Sequence, residues 1–360
     1  MCQYSADETL SVPNAWHIGH FGGIWTRAGP GLTIVEATAV EPRGRISPQD
    51  LGFWSDEQIS AYATLVEFAH SQNLKIAIQL GHAGRKASTV APWLSRAALA
   101  PKEAGGWADD VVGPDGGIGG KWDANHAVPK ALTTAEVENT VRLFKDAAAR
   151  AVKAGFDAIE IHGAHGYLIS SFLSPATNHR TDKYGGSFEN RIRILLEIAT
   201  AMREAIPEGI PLFVRVSGSE LMEHTFETPE AAENGSWTVS QTAELAIRLA
   251  NVGVDLIDVS SGGNQPKQKF TDQILLAEFV RKKVQEAGAK ILVGAVGGIT
   301  SGIKAEDILS RAQADVVIVG KAFQRSPALV WDWANELGVR IKVSKQTEWP
   351  IRHWVGHAKP

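Results

Sequence analysis

Two histidines and a tyrosine follow one another closely in the stretch IEIHGAHGYL, residues 159–168. Successive side chains of a strand point to opposite faces, so His162 and His165 can share one side only if the strand ends in a bend, and Gly163 favours one. Two imidazole N–H groups suit binding a single carbonyl or phenolate oxygen, and a neighbouring phenol suits proton donation. We therefore predict catalytic roles for His162, His165 and Tyr167.

Two other interpretations of the histidine pair stay open. The rings could be structural, each hydrogen-bonded at the end of a buried strand. They could also bind zinc, but the sequence offers no convincing third ligand and no HExxH pattern on a helix. We expect no metal site.

Two further strands carry polar side chains within apolar runs. Gln79 lies in IQLGHAGRKAS (78–88), and its amide can donate and accept at once, as the edge of a flavin or a nucleobase requires. Arg215 lies in LFVRVSG, where a guanidinium needs an acceptor such as a carboxylate or an electron-rich ligand. Backbone partners for Gln79, and an ion pair of Arg215 with Glu160 or Glu36, are the structural alternatives.

Glycines end the last two apolar runs, VGAVGGIT (293–300) and VIVGKAF (317–323). In barrels of parallel strands, the loops after strands seven and eight often bind phosphate through backbone amides. Gly297, Gly298 and Gly320 allow close approach, and Lys321 adds positive charge. A polar heterocycle near Gln79 and Arg215 with a phosphate at these glycines describes FMN.

Short apolar runs alternate with amphipathic stretches along the whole chain, as in a parallel sheet covered on both faces. The runs predict strands at 32–40, 74–82, 157–165, 211–219, 255–263, 290–298 and 315–323. The amphipathic stretches predict helices near 15–28, 55–72, 134–154, 188–206, 238–252, 271–288, 303–313 and 327–337. Polar residues come late in five or more of these strands, which favours a barrel over a doubly wound sheet.

The predicted fold is a (β/α)8 barrel whose first strand is largely missing, since MCQYS (1–5) reads like the last residues of a strand. We treat 1–360 as one FMN-binding barrel domain. Segment 88–133, which contains GPDGGIGG and Trp93, Trp107 and Trp122, interrupts the rhythm and is predicted to cross the mouth of the barrel. Residues 340–360 form a C-terminal tail.

Composition and charge exclude several classes of function and partner. A net charge of −4 and scattered basic residues give no indication of nucleic acid or anionic membrane as partner. We find no apolar stretch near 18 residues and no charged leader, so we expect neither a membrane span nor secretion. Cys2 is the only cysteine, which excludes internal disulfides and cysteine-bound clusters. We expect a cytoplasmic protein that acts on a small molecule.

Several motifs together resemble the old yellow enzyme family of FMN-dependent ene-reductases, in particular its class of bacterial xenobiotic reductases and thermophilic-like ene-reductases. They appear in family-like order and spacing over nearly the whole chain: MCQYSA, VEATAV, GRISPQDLGFWSD, IQLGHAGRKAS, EIHGAHGYLISSFLSPATNHRTDKYGGSFENR and GAVGGIT. The resemblance implies reduction of activated C=C bonds, with NAD(P)H as co-substrate.

The resemblance also implies roles for single residues. His162 and His165 would bind the substrate's activating oxygen, and Tyr167 would supply the proton. The implied flavin-binding residues are Cys2, Ala37, Gln79, Arg215, Gly297, Gly298, Gly320 and Lys321. Tyr4 would line the substrate pocket, and Trp354 would enter the active site of a neighbouring subunit in a homo-oligomer.

Two features depart from the family pattern. Relatives usually carry Arg at the place of Lys321, which keeps the charge but loses the two-pronged hydrogen bonding of a guanidinium. They also carry a further segment before MCQY, so either the start was assigned to an internal methionine, which we favour, or the chain is an N-terminally truncated, impaired or non-catalytic flavin-barrel paralogue. A third alternative is a phosphate-dependent aldolase or isomerase barrel, which needs a buried Lys or Glu base at a strand end. Glu160 precedes the histidines, but we find no matching lysine.

Overall fold

Seven parallel strands form one continuous sheet in the computed structural model of the chain, which describes residues 2–95, 98–269, 272–344, 346 and 349. The strands are β1 Leu32–Ala39, β2 Lys75–Gly81, β3 Ala158–Gly163, β4 Leu212–Ser217, β5 Leu256–Ser260, β6 Leu292–Val296 and β7 Val316–Ile318. Each strand pairs in parallel with the next one along the chain, so their carboxyl ends share one rim.

Helices connect the strands and cover the outside of the sheet. They are α1 Ala15–Trp25, α2 Ile59–Ser71, α3 Thr134–Ala154, α4 Leu168–Leu173, α5 Phe188–Ala205, α6 Pro229–Gly235, α7 Val239–Asn251, α8 Gln273–Glu286, α9 Gly302–Ser310, α10 Lys321–Arg325 and α11 Leu329–Glu336. A separate ribbon of two short parallel strands, Val112–Gly113 and Lys130–Ala131, lies within segment 88–133. No helix in the described part of the chain is long and apolar enough to cross a membrane.

All seven predicted strands are present, and the first five are buried over most of their length. The three central strands illustrate this, since every residue of β3 is buried, as are Val214 in β4 and Ile257 in β5. The last predicted strand was too long: after β7 ends at Ile318, the chain turns at Gly320 into α10. The short helices α4, α6 and α10 were not predicted, because fewer than eight residues show little periodicity.

Helix α3 shows how local sequence fixes the ends of an element. Thr133 accepts a hydrogen bond from the backbone N–H of Glu136, whose carboxylate accepts from the N–H of Thr133 at 2.8 Å. This capping box satisfies two of the backbone donors left open at the helix start. Gly155 ends the helix with φ 92°, a left-handed conformation in which a Cβ would be strained. The next strand begins three residues later.

The order of strands is that of a (β/α)8 barrel, as predicted. Among the described residues no strand joins β1 to β7, so these two are edge strands. The expectation that residues 1–5 end a strand is wrong for the described part, residues 2–5. Tyr4 has a left-handed φ of 49°, and Gln3 donates its backbone N–H to the side chain of Glu36 at 2.7 Å rather than to a strand.

Parts of segment 88–133 lie against the loops that follow the barrel strands. The indole N–H of Trp122 donates to the carbonyl of Gly263 at 2.9 Å, just after β5. The indole N–H of Trp107 donates to the carbonyl of Arg43 at 3.1 Å, after β1. Both loops leave the carboxyl ends of strands, so this segment contacts the rim at which barrel enzymes place their active sites.

Candidate active site

Polar side chains occupy neighbouring positions near the carboxyl ends of β2 to β5. The strand registers pair Gln79 with Glu160, and they place Arg215 beside both His162 and Asp258. Parallel pairing therefore builds a continuous arc of two carboxylates, an amide, a guanidinium and an imidazole. The apolar residues between them in sequence point to the helices instead.

The two histidines meet because β3 ends in a bend. The strand stops at Gly163, and His165 then adopts φ 62° and Gly166 φ 72°, both in the left-handed region. The bend expected from the sequence is therefore present. The ring centroid of His162 lies 5.2 Å from that of His165 and 5.1 Å from that of Tyr167, and the His162 ring is perpendicular to both.

Each histidine ring is held through one nitrogen. The N–H of Ala164 donates to Nδ1 of His162 at 3.2 Å. Nε2 of His165 lies 2.7 Å from the hydroxyl of Ser260, at the end of β5, while the backbone N–H of His165 donates to the hydroxyl of Ser217 at 2.9 Å. The opposite nitrogens, Nε2 of His162 and Nδ1 of His165, have no protein partner among the described residues and are not enclosed by protein.

Both imidazoles are neutral at physiological pH. Burial lowers the pKa of His162 to about 3, and the nearby charge of Arg215 acts in the same direction. Burial and Arg215 also hold the pKa of His165 well below its ordinary value. A neutral ring carries one N–H. Since Nδ1 of His162 accepts from Ala164, its proton is on Nε2, and that N–H is available to a ligand.

Tyr167 directly precedes α4 and keeps its phenolic proton. Burial raises the pKa of the phenol well above its ordinary value. The ammonium of Lys86 lies 5.1 Å from the centre of the Tyr167 ring and donates to the carbonyls of His165 and Gly263, each at 3.0 Å. Lys86 therefore connects three loops of the rim around the tyrosine.

Gln79 is buried and bonded to a carboxylate rather than to the backbone. Its Nε2 donates to Oε2 of Glu160, which is completely buried. This contact replaces the backbone partners that the sequence left open. The pKa of Glu160 is raised by burial and by the proximity of Asp258, although Arg215 opposes both effects.

Arg215 pairs with a carboxylate that the sequence did not indicate. Its Nη1 lies 3.1 Å from Oδ2 of Asp258, on the neighbouring strand. The expected partners were Glu160 and Glu36, but the register of β4 and β5 places Asp258 directly beside Arg215. Burial raises the pKa of Asp258, and the guanidinium opposes that rise.

The N-terminal segment lies against the end of β1. The thiol of Cys2 contacts the backbone of Ala37, and burial, followed by the charges of Asp50 and Glu36, raises its pKa, so the thiol is protonated. Ala37 lies at an irregularity of β1, opposite β2. The ring of Tyr4 makes an edge contact with the exposed Trp93 of segment 88–133, with centroids 5.6 Å apart.

The predicted phosphate-binding residues follow two adjacent strands. Gly297 and Gly298 come directly after β6 with φ 106° and 64°, conformations that favour glycine. Gly320 and Lys321 come after β7 and begin α10. Gly298, Gly320 and Lys321 are exposed, so the backbone at this rim is open to a ligand.

One residue predicted for the active site lies beyond the part of the chain that the structure describes. Trp354 lies outside the described residues, as does most of the 340–360 tail. The histidine pair has no metal-binding companions: in the part of the chain that is described, no three His, Cys, Asp or Glu side chains are grouped to hold a metal ion.

The sequence analysis assigned no role to three residues of the site. Lys86 and Ser260 reach the histidine loop from other strands, and Asp258 neutralises Arg215. The sequence offered one indication for each: all three lie in or just after apolar strand runs, where burying a polar side chain costs free energy unless it has a partner.

Comparison with known proteins agrees with this geometry. Residues 1–338 match the profile of the NADH:flavin oxidoreductase / NADH oxidase family. The chain belongs to this family. It is 50% identical over 358 residues to an NADH:flavin oxidoreductase of Gibberella zeae, covering 98% of this chain and 84% of that protein. It is 42% identical over 359 residues to an NADPH dehydrogenase of Halalkalibacterium halodurans, covering 99% and 93%.

Solved structures of flavin-type reductases named below have a similar fold. Morphinone reductase in complex with tetrahydroNAD superposes with a TM-score of 0.72 at 25% identity, over 95% of this chain and 86% of that one. An old yellow enzyme homologue from Zymomonas mobilis gives a TM-score of 0.70 at 27% identity, over 91% and 84%. The resemblance to old yellow enzymes is confirmed, and the chain is an oxidoreductase with FMN as cofactor and NADH or NADPH as co-substrate.

The residues of the rim fit FMN. Nε of Arg215 is a buried donor without a hydrogen-bond partner among the described residues, and an acceptor-rich heterocycle would supply one. The buried amide of Gln79, on β2, is held by Glu160 of the next strand. Gly298 and Gly320 offer open backbone at the next strand ends, where barrels bind phosphate, and Gly297 precedes Gly298 directly. The donor set therefore suits a flavin ring and its phosphate.

Proposed function

We propose that this oxidoreductase reduces activated C=C bonds, in α,β-unsaturated carbonyl or nitro compounds. The observation that carries the proposal is the perpendicular arrangement of His162 with His165 and Tyr167 on the rim that also carries Gln79 and Arg215. A neutral imidazole whose ring centre lies 5.2 Å from a second imidazole and 5.1 Å from a protonated phenol suits a reaction that polarises an oxygen and protonates a carbon.

His162 and His165 bind the activating oxygen of the substrate in this proposal. Nε2–H of His162 is directed away from its own backbone partner, so it is free to donate. Donors that are fixed before the reaction stabilise negative charge as it develops on an oxygen and need no reorganisation. Two such donors on one oxygen favour attack at the β-carbon.

Tyr167 donates the proton to the α-carbon. Its raised pKa keeps the phenol protonated throughout the physiological range, as a general acid requires. The Lys86 ammonium over its ring favours the partial negative charge that the phenol acquires as its proton leaves.

The remaining rim residues hold the cofactor. Gln79 and Arg215 would contact its polar edge, and Cys2 and Ala37 would lie against the ring system. The phosphate would be bound by Gly297, Gly298, Gly320 and Lys321. FMN, when bound, carries the hydride from NADH or NADPH to the substrate.

Tyr4 lines the substrate pocket, with Trp93 against it. We further propose that 1–360 forms one barrel domain, that segment 88–133 covers its mouth, and that the protein is a cytoplasmic homo-oligomer whose Trp354 reaches a neighbouring active site. The size of the oligomer follows from sedimentation of the full chain.

The function is tested with purified protein loaded with FMN, without oxygen. NADPH alone should reduce the bound flavin once and then stop, whereas oxidation should continue when a cyclic enone is added, and the product should be the saturated ketone. FMN binding with no enone-dependent oxidation would contradict the proposal and leave a non-catalytic flavin-binding barrel as the function.

A further inference from the structure

Ser260, at the end of β5, contacts the ring of His165 in the loop after β3. It is the last residue of β5, and 4% of its surface is exposed. Its hydroxyl oxygen lies 2.7 Å from Nε2 of His165. The hydrogen bond can run in either direction, since a hydroxyl both donates and accepts and a neutral imidazole nitrogen can do either.

Counting hydrogen-bond partners decides the direction. Among the residues that the structure describes, the Ser260 hydroxyl has no contact with any other acceptor. If Nε2–H donated to Ser260, the hydroxyl hydrogen would be buried without an acceptor, which is unfavourable. If Ser260 donates to Nε2, both groups are satisfied.

We propose that Ser260 is a positioning residue that donates its hydroxyl hydrogen to Nε2 of His165 and so keeps the ring proton on Nδ1. The N–H of Nδ1 then faces the rim, where this nitrogen has no protein partner among the described residues and is not enclosed. The ring is neutral because burial lowers its pKa, so it carries a single N–H, either on Nδ1 or on Nε2.

The two histidines acquire opposite tautomers by the same principle. Ala164 donates to Nδ1 of His162, which leaves the proton of that ring on Nε2. Ser260 donates to Nε2 of His165, which leaves the proton on Nδ1. The partner of one nitrogen determines which nitrogen donates to the ligand, as is common for histidines at active sites. The catalytic consequence, two donors on one oxygen, rests on the proposed function; the tautomers themselves do not.

Nuclear magnetic resonance of ¹⁵N-histidine in the FMN-loaded protein measures both tautomers directly. Two-bond ¹⁵N–¹H correlations distinguish Nδ1–H from Nε2–H, and the resonances are assigned from those missing in His162→Asn and His165→Asn. We expect Nε2–H for His162 and Nδ1–H for His165. Nε2–H for His165 in the wild type would overturn the proposal whatever the activity.

Variants then test the role of the hydroxyl. Ser260→Ala should lose the Nδ1–H preference of His165 and lower the rate of enone reduction by about tenfold or more, because one donor is no longer fixed. Ser260→Thr keeps a hydroxyl and should restore the tautomer. Ser217→Ala is the matched control, since Ser217 binds the backbone of His165 and not its ring, so the tautomer should stay.

These outcomes separate the two proposals. An unchanged His165 tautomer in Ser260→Ala, or an equal change in Ser217→Ala, contradicts the role of Ser260. A correct tautomer response in a protein that reduces no activated alkene leaves the role of Ser260 intact and contradicts the proposed function instead.

Discussion

The rings of His162 and Tyr167 stand at 90° to one another, with their centroids 5.1 Å apart. The chain reaches this arrangement within six residues, because β3 ends at Gly163 and the backbone then turns through the left-handed conformations of His165 and Gly166. An imidazole from β3 and a phenol that directly precedes α4 thus lie on one side of the barrel rim.

Removal of the Tyr167 hydroxyl should separate the two halves of the reaction. Tyr167→Phe should lower the rate of enone reduction by about 100-fold or more, as expected for loss of a general acid, while reduction of the flavin by NADPH continues. Stopped-flow measurement of each half-reaction checks this. Tyr184→Phe is the control, because that hydroxyl donates to Glu197, away from the rim; it should leave both half-reactions near wild type.

Loss of the His162 donor should weaken stabilisation of the developing charge. His162→Ala should reduce kcat/KM for an enone by about 100- to 1,000-fold, the usual effect of removing one donor to an oxyanion. Steady-state kinetics of enone-dependent NADPH oxidation measure it. His70→Ala, which removes a histidine bound to Asp157 at the opposite end of β2, should change kcat/KM little. Equal losses in both variants would contradict the role of His162.

Arg215 should contribute to stability and to flavin binding in separable ways. Arg215→Met leaves Asp258 buried without its cation and should lower the free energy of unfolding by about 3 kcal/mol or more. Adding Asp258→Asn should recover much of that loss but not the affinity for FMN. Urea unfolding and FMN titration of the apoprotein measure the two effects. Recovery of FMN affinity in the double variant would contradict the flavin contact proposed for Arg215.

Glu160 should make stability depend on pH. Its pKa is raised in the folded state by burial and by Asp258, so the folded protein holds this proton more tightly than the unfolded chain. Stability is therefore lost as pH rises from the unfolded pKa, about 4.3, through the raised folded value. Glu160→Gln should be more stable than wild type at pH 8 and closer to it at pH 5.

Urea unfolding of the apoprotein at both pH values checks this difference. In the Asp258→Asn background the advantage of Glu160→Gln at pH 8 should shrink, because the charge of Asp258 no longer raises the pKa of Glu160. An advantage that is the same at pH 5 and pH 8 would show that the buried carboxylate is not its cause.

The sequence predicted most of the barrel because buried parallel strands leave a simple pattern. Runs such as 157–165 and 211–219 are mostly apolar and short, as is typical of strands in a parallel sheet covered on both faces. The polar residues within these runs, Gln79 and Arg215, stood out for the same reason. The pattern failed for MCQYS, since five residues carry no periodicity and the left-handed Tyr4 depends on its contacts.

Partners across strands could not be predicted, because they depend on register. Arg215 faces Asp258 only in the observed alignment of β4 and β5, and a shift of one residue would turn it to the other side of the sheet. The contacts of Lys86 with His165 and Gly263 join loops that are 79 and 177 residues apart in the chain. No local pattern records contacts over such separations.

The most direct test of the proposed chemistry follows hydrogen atoms into the product. An enone is reduced by the FMN-loaded protein in D₂O with unlabelled NADPH, and the product is analysed by nuclear magnetic resonance. The proposal predicts a saturated ketone with protium from NADPH added at the β-carbon and solvent deuterium at the α-carbon, and about 100-fold slower product formation in Tyr167→Phe. An allylic alcohol, or an enone left unreduced while NADPH is consumed, would contradict it.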